Sequence, residues 1–143
     1  MPNEKLKKVV TSFIRHKGKI LVLRRSEKVG TYKGKWAAVS GYLEYLTPLA
    51  QALREINEET GLTGSQVTLV SSGKPLEVPD PKLGFRWLVH PFLFETGEPG
   101  EIRLDWEHVE MKWVEPALLR QLPTVPGLAE AYARCLHGHE DEE

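Results

Sequence analysis

Three glutamates, Glu55, Glu58 and Glu59, stand in the run Arg54-Glu55-Ile56-Asn57-Glu58-Glu59-Thr60-Gly61-Leu62, a stretch that reads as helix and stops at a glycine. A helix advances ~100° per residue, so the three side chains fall within a sector of roughly 100° and their carboxylates come close enough to touch. Each like-charged pair so placed costs an isolated helix about 0.2–0.5 kcal/mol, a penalty that a cation between the carboxylates removes. Hard divalent ions such as Mg²⁺ or Mn²⁺ prefer carboxylate oxygens and keep positions open for phosphate and water. The plainer alternative is a solvated acidic face, the commonest fate of helical glutamates.

The elements that would position these groups are written beside them. Residues 36–44 read as a short apolar strand running into a turn at Gly41, after which Thr47 and Pro48 supply an N-cap and a first-turn proline. Leu49, Ala52, Leu53, Ile56 and Thr60 recur at the three-and-four spacing as an apolar stripe, set roughly 120° from the centre of the glutamate sector. This predicts a helix docked by one face with its carboxylates turned toward a cleft.

The order strand, loop, acidic helix and glycine stop, with Gly41, Glu44, Arg54-Glu55, Glu58-Glu59 and Gly61-Leu62, resembles the Nudix box of the Nudix hydrolases (MutT-like) over about residues 41–62. The resemblance implies an α/β fold, an α/β/α sandwich on a mixed β-sheet. It also implies Mg²⁺ or Mn²⁺ held by Glu58 and Glu59, with Glu55 joining them and the backbone carbonyl of Ser40 completing the set. Arg54, which could otherwise form only a surface pair with Glu58, would orient the carboxylates. The sequence departs from the family pattern at three places: Tyr45-Leu46 replace the usual glycine and glutamate, the loop between Gly41 and Arg54 is one residue shorter, and Ser40 replaces a glycine.

The rest of the chain is compatible with that fold. Residues 9–15 and 20–25 are β-rich and joined by the hairpin chemistry of His16-Lys17-Gly18-Lys19. After the acidic helix, residues 66–78 and 85–95 read as two strands separated by a proline-rich loop at 79–84. Residues 110–114 alternate as a strand, Pro116 starts a short helix through Leu122, and residues 127–136 form a helix whose Leu128, Ala131, Tyr132 and Cys135 share one face. The 143 residues suit one domain with a sizeable core, closing on an acidic tail at 138–143 expected to fray.

A net charge of −1 supplies no field for duplex nucleic acid, and no basic groove supports action on RNA caps. A single cysteine, no signal-like apolar stretch and no membrane-length run suit a cytoplasmic protein, a monomer or homodimer. Cys135, His137 and His139 alternate, but without a fourth ligand they make a poor zinc set.

A proton acceptor for attacking water need not lie on the helix. Asp105-Trp106-Glu107-His108-Val109-Glu110 supplies Glu107 and Glu110 as candidates, in a region where related enzymes place a catalytic glutamate. For the substrate, Arg24, with Arg25, Lys33 and Lys35, could meet phosphate; Glu44 and Tyr45 sit in the loop, and Trp87 and Trp106 could touch a nucleobase. The expected activity is metal-dependent hydrolysis of a diphosphate in a nucleoside diphosphate linked to another moiety. The other reading, a nucleotide-binding or regulatory module with little turnover, rests on the altered loop.

Overall fold

The computed structural model describes residues 5–137, so the acidic tail lies outside the described residues. Its spine is a parallel pair of long strands, β1 (Lys5–His16) and β7 (Phe85–Glu95), in register from Lys5 opposite Phe85 to Arg15 opposite Glu95. On its other edge β1 pairs first with β4 (Val39–Tyr42) and then, through the hairpin, with β2 (Lys19–Arg25). β2 continues outward to β3 (Trp36–Ala37) and β8 (His108–Val114). The far edge of β7 carries β5 (Thr68–Ser72) and β6 (Leu76–Asp80), completing an eight-stranded mixed sheet.

Alternation along the strands builds a core on each face of the sheet. Phe13, Ile20, Val22 and Leu93 pack with Leu128, Ala131, Tyr132 and Cys135 of helix α2 (Leu128–Leu136). Their neighbours Ile14, Leu21, Leu23, Phe92 and Phe94 pack with Ala52 and Ile56 of helix α1 (Pro48–Thr60). The result is the helix, sheet, helix sandwich that the sequence resemblance implies. Each fully buried Leu, Ile or Phe contributes roughly 1.5–3 kcal/mol, so both helices are held by packing more than by propensity. Among the described residues, no helix is long and apolar enough to cross a membrane.

Local chemistry sets the ends of α1. Thr47 is extended, at φ −64° and ψ 159°, and its hydroxyl accepts from the Ala50 N–H. Gly61 closes the helix in the left-handed region at φ 83°, its N–H donating to the Asn57 carbonyl.

Several elements differ from the sequence reading. The apolar strand at 36–44 divides into β3 and β4, and the strand expected over 66–78 divides into β5 and β6. The second break falls at Gly73, where a Cβ would lie 2.6 Å from the backbone of Arg134, so only glycine lets α2 come so close. Pro79 and Asp80 belong to β6 rather than to a loop; β6 is an edge strand, where a missing N–H does no harm. The segment after Pro116 is a single 3₁₀ turn, Pro116–Arg120. On α1, Leu49 is exposed, while Gln51 and Glu59 are buried with Ala52, Ile56 and Thr60.

Thr47→Ala removes the cap and should cost about 1 kcal/mol. For a chain of this size that is a fall in Tm of roughly 3 °C, with kcat unchanged because Thr47 does not line the cleft. Thermal melting with parallel activity measurements checks it.

Candidate active site

A cleft of about 620 Å³ opens where β4, one face of α1 from Gln51 to Glu58, the loop after β2 and the segment before β8 converge. One end is acidic, bordered by Glu44, Glu55, Glu58 and Glu107. The carboxylates come from three separate chain segments and meet only because the sheet stacks α1 beside the start of β8.

Gly41 makes room for one of them. A Cβ at this position would stand 2.2 Å from the Glu55 carboxyl carbon, so the strand can pass over the side chain only without one. Glu55 accepts from the Gln51 side-chain amide at 2.7 Å. Glu59 is 2% exposed, more deeply placed than a carboxylate simply facing a cleft; it receives a long contact of 3.4 Å from the Ser40 N–H. Burial, then the charges of Glu107, Glu55 and Asp105, push Glu59 well above the usual carboxylate range. Burial also raises Glu55, although its hydrogen bonds with Gln51 and Glu59 pull the other way.

The loop before β8 supplies the second half. Asp105, Glu107 and His108 bring one potential ligand atom each to within 4.8 Å of one another. His108 is buried, with Nδ1 3.0 Å from Asp105 and Nε2 3.9 Å from Glu59. Burial lowers its pKa despite Asp105, so the ring stays neutral near pH 7. Glu107 is raised by burial and by Asp105, against a lowering from Arg25. These donors suit a hard dication: they are mainly carboxylate oxygens, and a bound cation relieves the repulsion between them.

The other predicted residues separate into those at the cleft and those away from it. Arg54 donates to Glu58 at 3.1 Å, which is both the surface i,i+4 pair and a restraint on Glu58. Ser40, Glu44, Trp87 and Trp106 line the cleft. Tyr45 does not; it is 95% exposed, and Tyr42 takes the place beside the cleft that the sequence reading assigned to it. Arg24 and Glu110 pair with each other across β2 and β8 at 2.9 Å and are absent from the cleft wall. Arg25 reaches the cleft instead, held by the Thr31 carbonyl and hydroxyl. Cys135 is buried in the core and His139 lies outside the described residues, so the described residues bring no zinc set together there.

The NUDIX domain family model matches residues 5–135. The chain belongs to the Nudix hydrolase family. Solved structures agree on the fold. A Caenorhabditis elegans Ap4A hydrolase binary complex is 20% identical with a TM-score of 0.75, over 90% of this chain and 93% of that one. A MutT Nudix hydrolase from Burkholderia pseudomallei is 25% identical with a TM-score of 0.72, over 92% and 98%. A bifunctional NMN adenylyltransferase/ADP ribose pyrophosphatase from Francisella tularensis, complexed with AMP and a Mn ion, is 24% identical with a TM-score of 0.76, over 96% of this chain and 43% of that one. No curated protein sequence matches the chain. Within this Nudix protein, Gly41, Arg54, Glu55 and Glu58 of the box line the cleft and Glu59 is buried against the Ser40 N–H, whereas the altered pair Tyr45-Leu46 lies outside the cleft wall.

The raised carboxyl groups set the pH response. A group whose folded pKa is raised stabilises below its unfolded value and loses that contribution as pH rises through the folded value, so Glu55, Glu59 and Glu107 favour the metal-free fold on the acid side. Binding a dication needs the deprotonated groups and therefore strengthens with pH. Mn²⁺ at about 100 times its Kd should add roughly 2.7 kcal/mol. The Tm gain should be larger at pH 8 than at pH 5 and mostly absent in Glu59→Gln; equal gains at both pH values in both proteins would refute the assignment.

Proposed function

We propose that this Nudix protein hydrolyses a phosphoric anhydride bond in a nucleoside diphosphate linked to another moiety. The observation that carries the reading is a single cleft with two chemically different ends: carboxylates at one, and Val29, Tyr32, Tyr42, Val78 and Trp87 at the other. A substrate with a charged diphosphate and a planar group fits that division. The names of the Caenorhabditis Ap4A hydrolase and the Francisella ADP ribose pyrophosphatase, the latter with AMP and a Mn ion, support the same class.

Glu55, Glu58 and Glu59, with the Ser40 carbonyl and Glu107, would hold Mg²⁺ or Mn²⁺. When bound, the ion supplies charge neutralisation on the phosphates and lowers the pKa of water. Arg54 restrains Glu58, and Arg25, also in the cleft wall, offers a guanidinium to phosphate oxygens. Water attacks phosphorus, its proton passes to a carboxylate, the phosphoric anhydride P–O bond breaks, and two phosphorylated fragments leave. Glu107 is the first candidate for that proton, because burial and Asp105 raise its pKa toward the working range. Glu110, already the second candidate from its place in a strand, is engaged by Arg24 away from the cleft. Trp106, largely exposed beside Glu107, and Glu44 border the entrance. The altered Tyr45-Leu46 turn, directed away from the cleft, does not favour a binding-only module.

Product identification over nucleotide sugars, dinucleoside polyphosphates and nucleoside triphosphates, with and without Mg²⁺, tests the reading. Glu107→Gln should lower kcat by about 100-fold or more and alter its pH profile, while Glu110→Gln leaves both unchanged. No metal-dependent product from any of these substrates, or an inactive Glu110→Gln beside an active Glu107→Gln, would overturn it.

A further inference from the structure

Tyr32 occupies a backbone conformation that aromatic residues rarely adopt, with φ 54°. Such a conformation persists only where the surroundings hold it. Here the hydroxyl does so: it donates to the Asp80 carboxylate and accepts the indole N–H of Trp87 at 2.9 Å. Asp80 is buried, and its other oxygen accepts the Leu83 N–H at 3.2 Å, tying the contact to the β6–β7 turn. Trp87 is thereby fixed along its N–H edge by Tyr32. Phe85 meets it edge-on at 4.8 Å, and Tyr42 lies 6.1 Å away at an interplanar angle of 38°.

Beside the rings, the Trp87 N–H is taken by the Tyr32 hydroxyl, and the Thr31 hydroxyl accepts from Arg25. Toward the carboxylates, the Gln51 amide donates to Glu55 and the Thr11 hydroxyl bonds to Ser40 at 3.2 Å. A planar ligand entering at the aromatic end meets ring faces and aliphatic groups, with few open donors or acceptors for its edge. Apolar surfaces discriminate weakly between similar planar groups, whereas a site built on edge hydrogen bonds rejects an altered edge by about 10⁴-fold or more.

Resting on the substrate reading above, we propose that Tyr32 is a positioning residue for specificity. Its hydroxyl fixes Trp87 as one wall of a pocket that selects the aromatic base of a nucleoside diphosphate substrate by its face and accepts different bases. Tyr32 and Trp87 lie outside the Nudix box, on the loop after β2 and the β6–β7 hairpin; Tyr42 is the ring that comes from within it.

The test compares ADP-ribose, its hypoxanthine counterpart, and 5-phosphoribose 1-diphosphate, which carries sugar and diphosphate without a base. In the wild-type protein, exchanging adenine for hypoxanthine should change kcat/KM by less than about tenfold, and removing the base should lower it about 100-fold. Tyr32→Phe should raise KM about tenfold for both base-bearing substrates, leave kcat unchanged, and leave the base-free substrate unaffected. Asp80→Asn keeps an acceptor for the hydroxyl and should retain most of the wild-type KM. Trp87→Phe, which keeps a ring but loses the N–H, should reproduce the Tyr32→Phe pattern and serves if that variant does not fold.

An unchanged KM in a folded Tyr32→Phe or Trp87→Phe protein overturns the proposal, as does an equal loss of kcat on all three substrates. Discrimination of about 10⁴-fold between adenine and hypoxanthine overturns recognition by the face. Metal-dependent turnover of the base-free substrate alone, with none of either nucleotide, instead defeats the underlying substrate reading and the proposal together.

Discussion

Holding several carboxylates together against their repulsion is the constraint on which this structure depends. Glu59 is buried, Glu55 lies beside it, and Glu107 and Asp105 add like charge from another segment. Burial and mutual repulsion both disfavour ionisation, which explains why the three raised carboxyl groups all belong to this cluster. A site of this kind needs a rigid frame, since any flexible element would relax away from the repulsion.

The frame is supplied by the parallel β1–β7 spine and by α1 docked on one of its faces. Ala52, Ile56 and Thr60 hold the helix down, and the absent Cβ at Gly41 allows β4 to pass over Glu55. Thr60 secures the last turn by donating to the Ile56 carbonyl at 2.6 Å and accepting from the Leu62 N–H at 3.1 Å. Stability and function meet in this helix. The same 13 residues present an apolar face to the sheet and carboxylates to the cleft, and Glu59 sits at the boundary between the two.

The opposite end of the cleft is organised differently. There the Asp80 carboxylate, the Tyr32 hydroxyl and the Trp87 N–H satisfy one another, and Val29, Tyr42, Val78 and Trp87 line the cleft. Charge compensation at one end and shape at the other can vary independently, because they rest on different loops.

How much of this was legible follows from the range of the interactions. The acidic helix, its Thr47 cap, its Gly61 stop and the alternating strands were readable because capping and periodicity act over a few residues. The strand expected over 66–78 was misread because its break at Gly73 reflects the approach of Arg134, about which neighbouring residues say nothing. Arg24 and Arg25 are adjacent, and Glu107 and Glu110 are close in sequence, yet in each pair one residue reaches the cleft and the other joins a cross-strand ion pair. Side chains on a strand alternate faces, so sequence can nominate both members but cannot say which face the cleft occupies. The convergence of Tyr32, Asp80 and Trp87 was likewise invisible, since it depends on the loop after β2 meeting a hairpin far along the chain. The sequence by itself determined the carboxylate-bearing helix and the local elements around it; tertiary structure alone decided which distant side chains share its cleft, because that depends on sheet register and on how the faces pack.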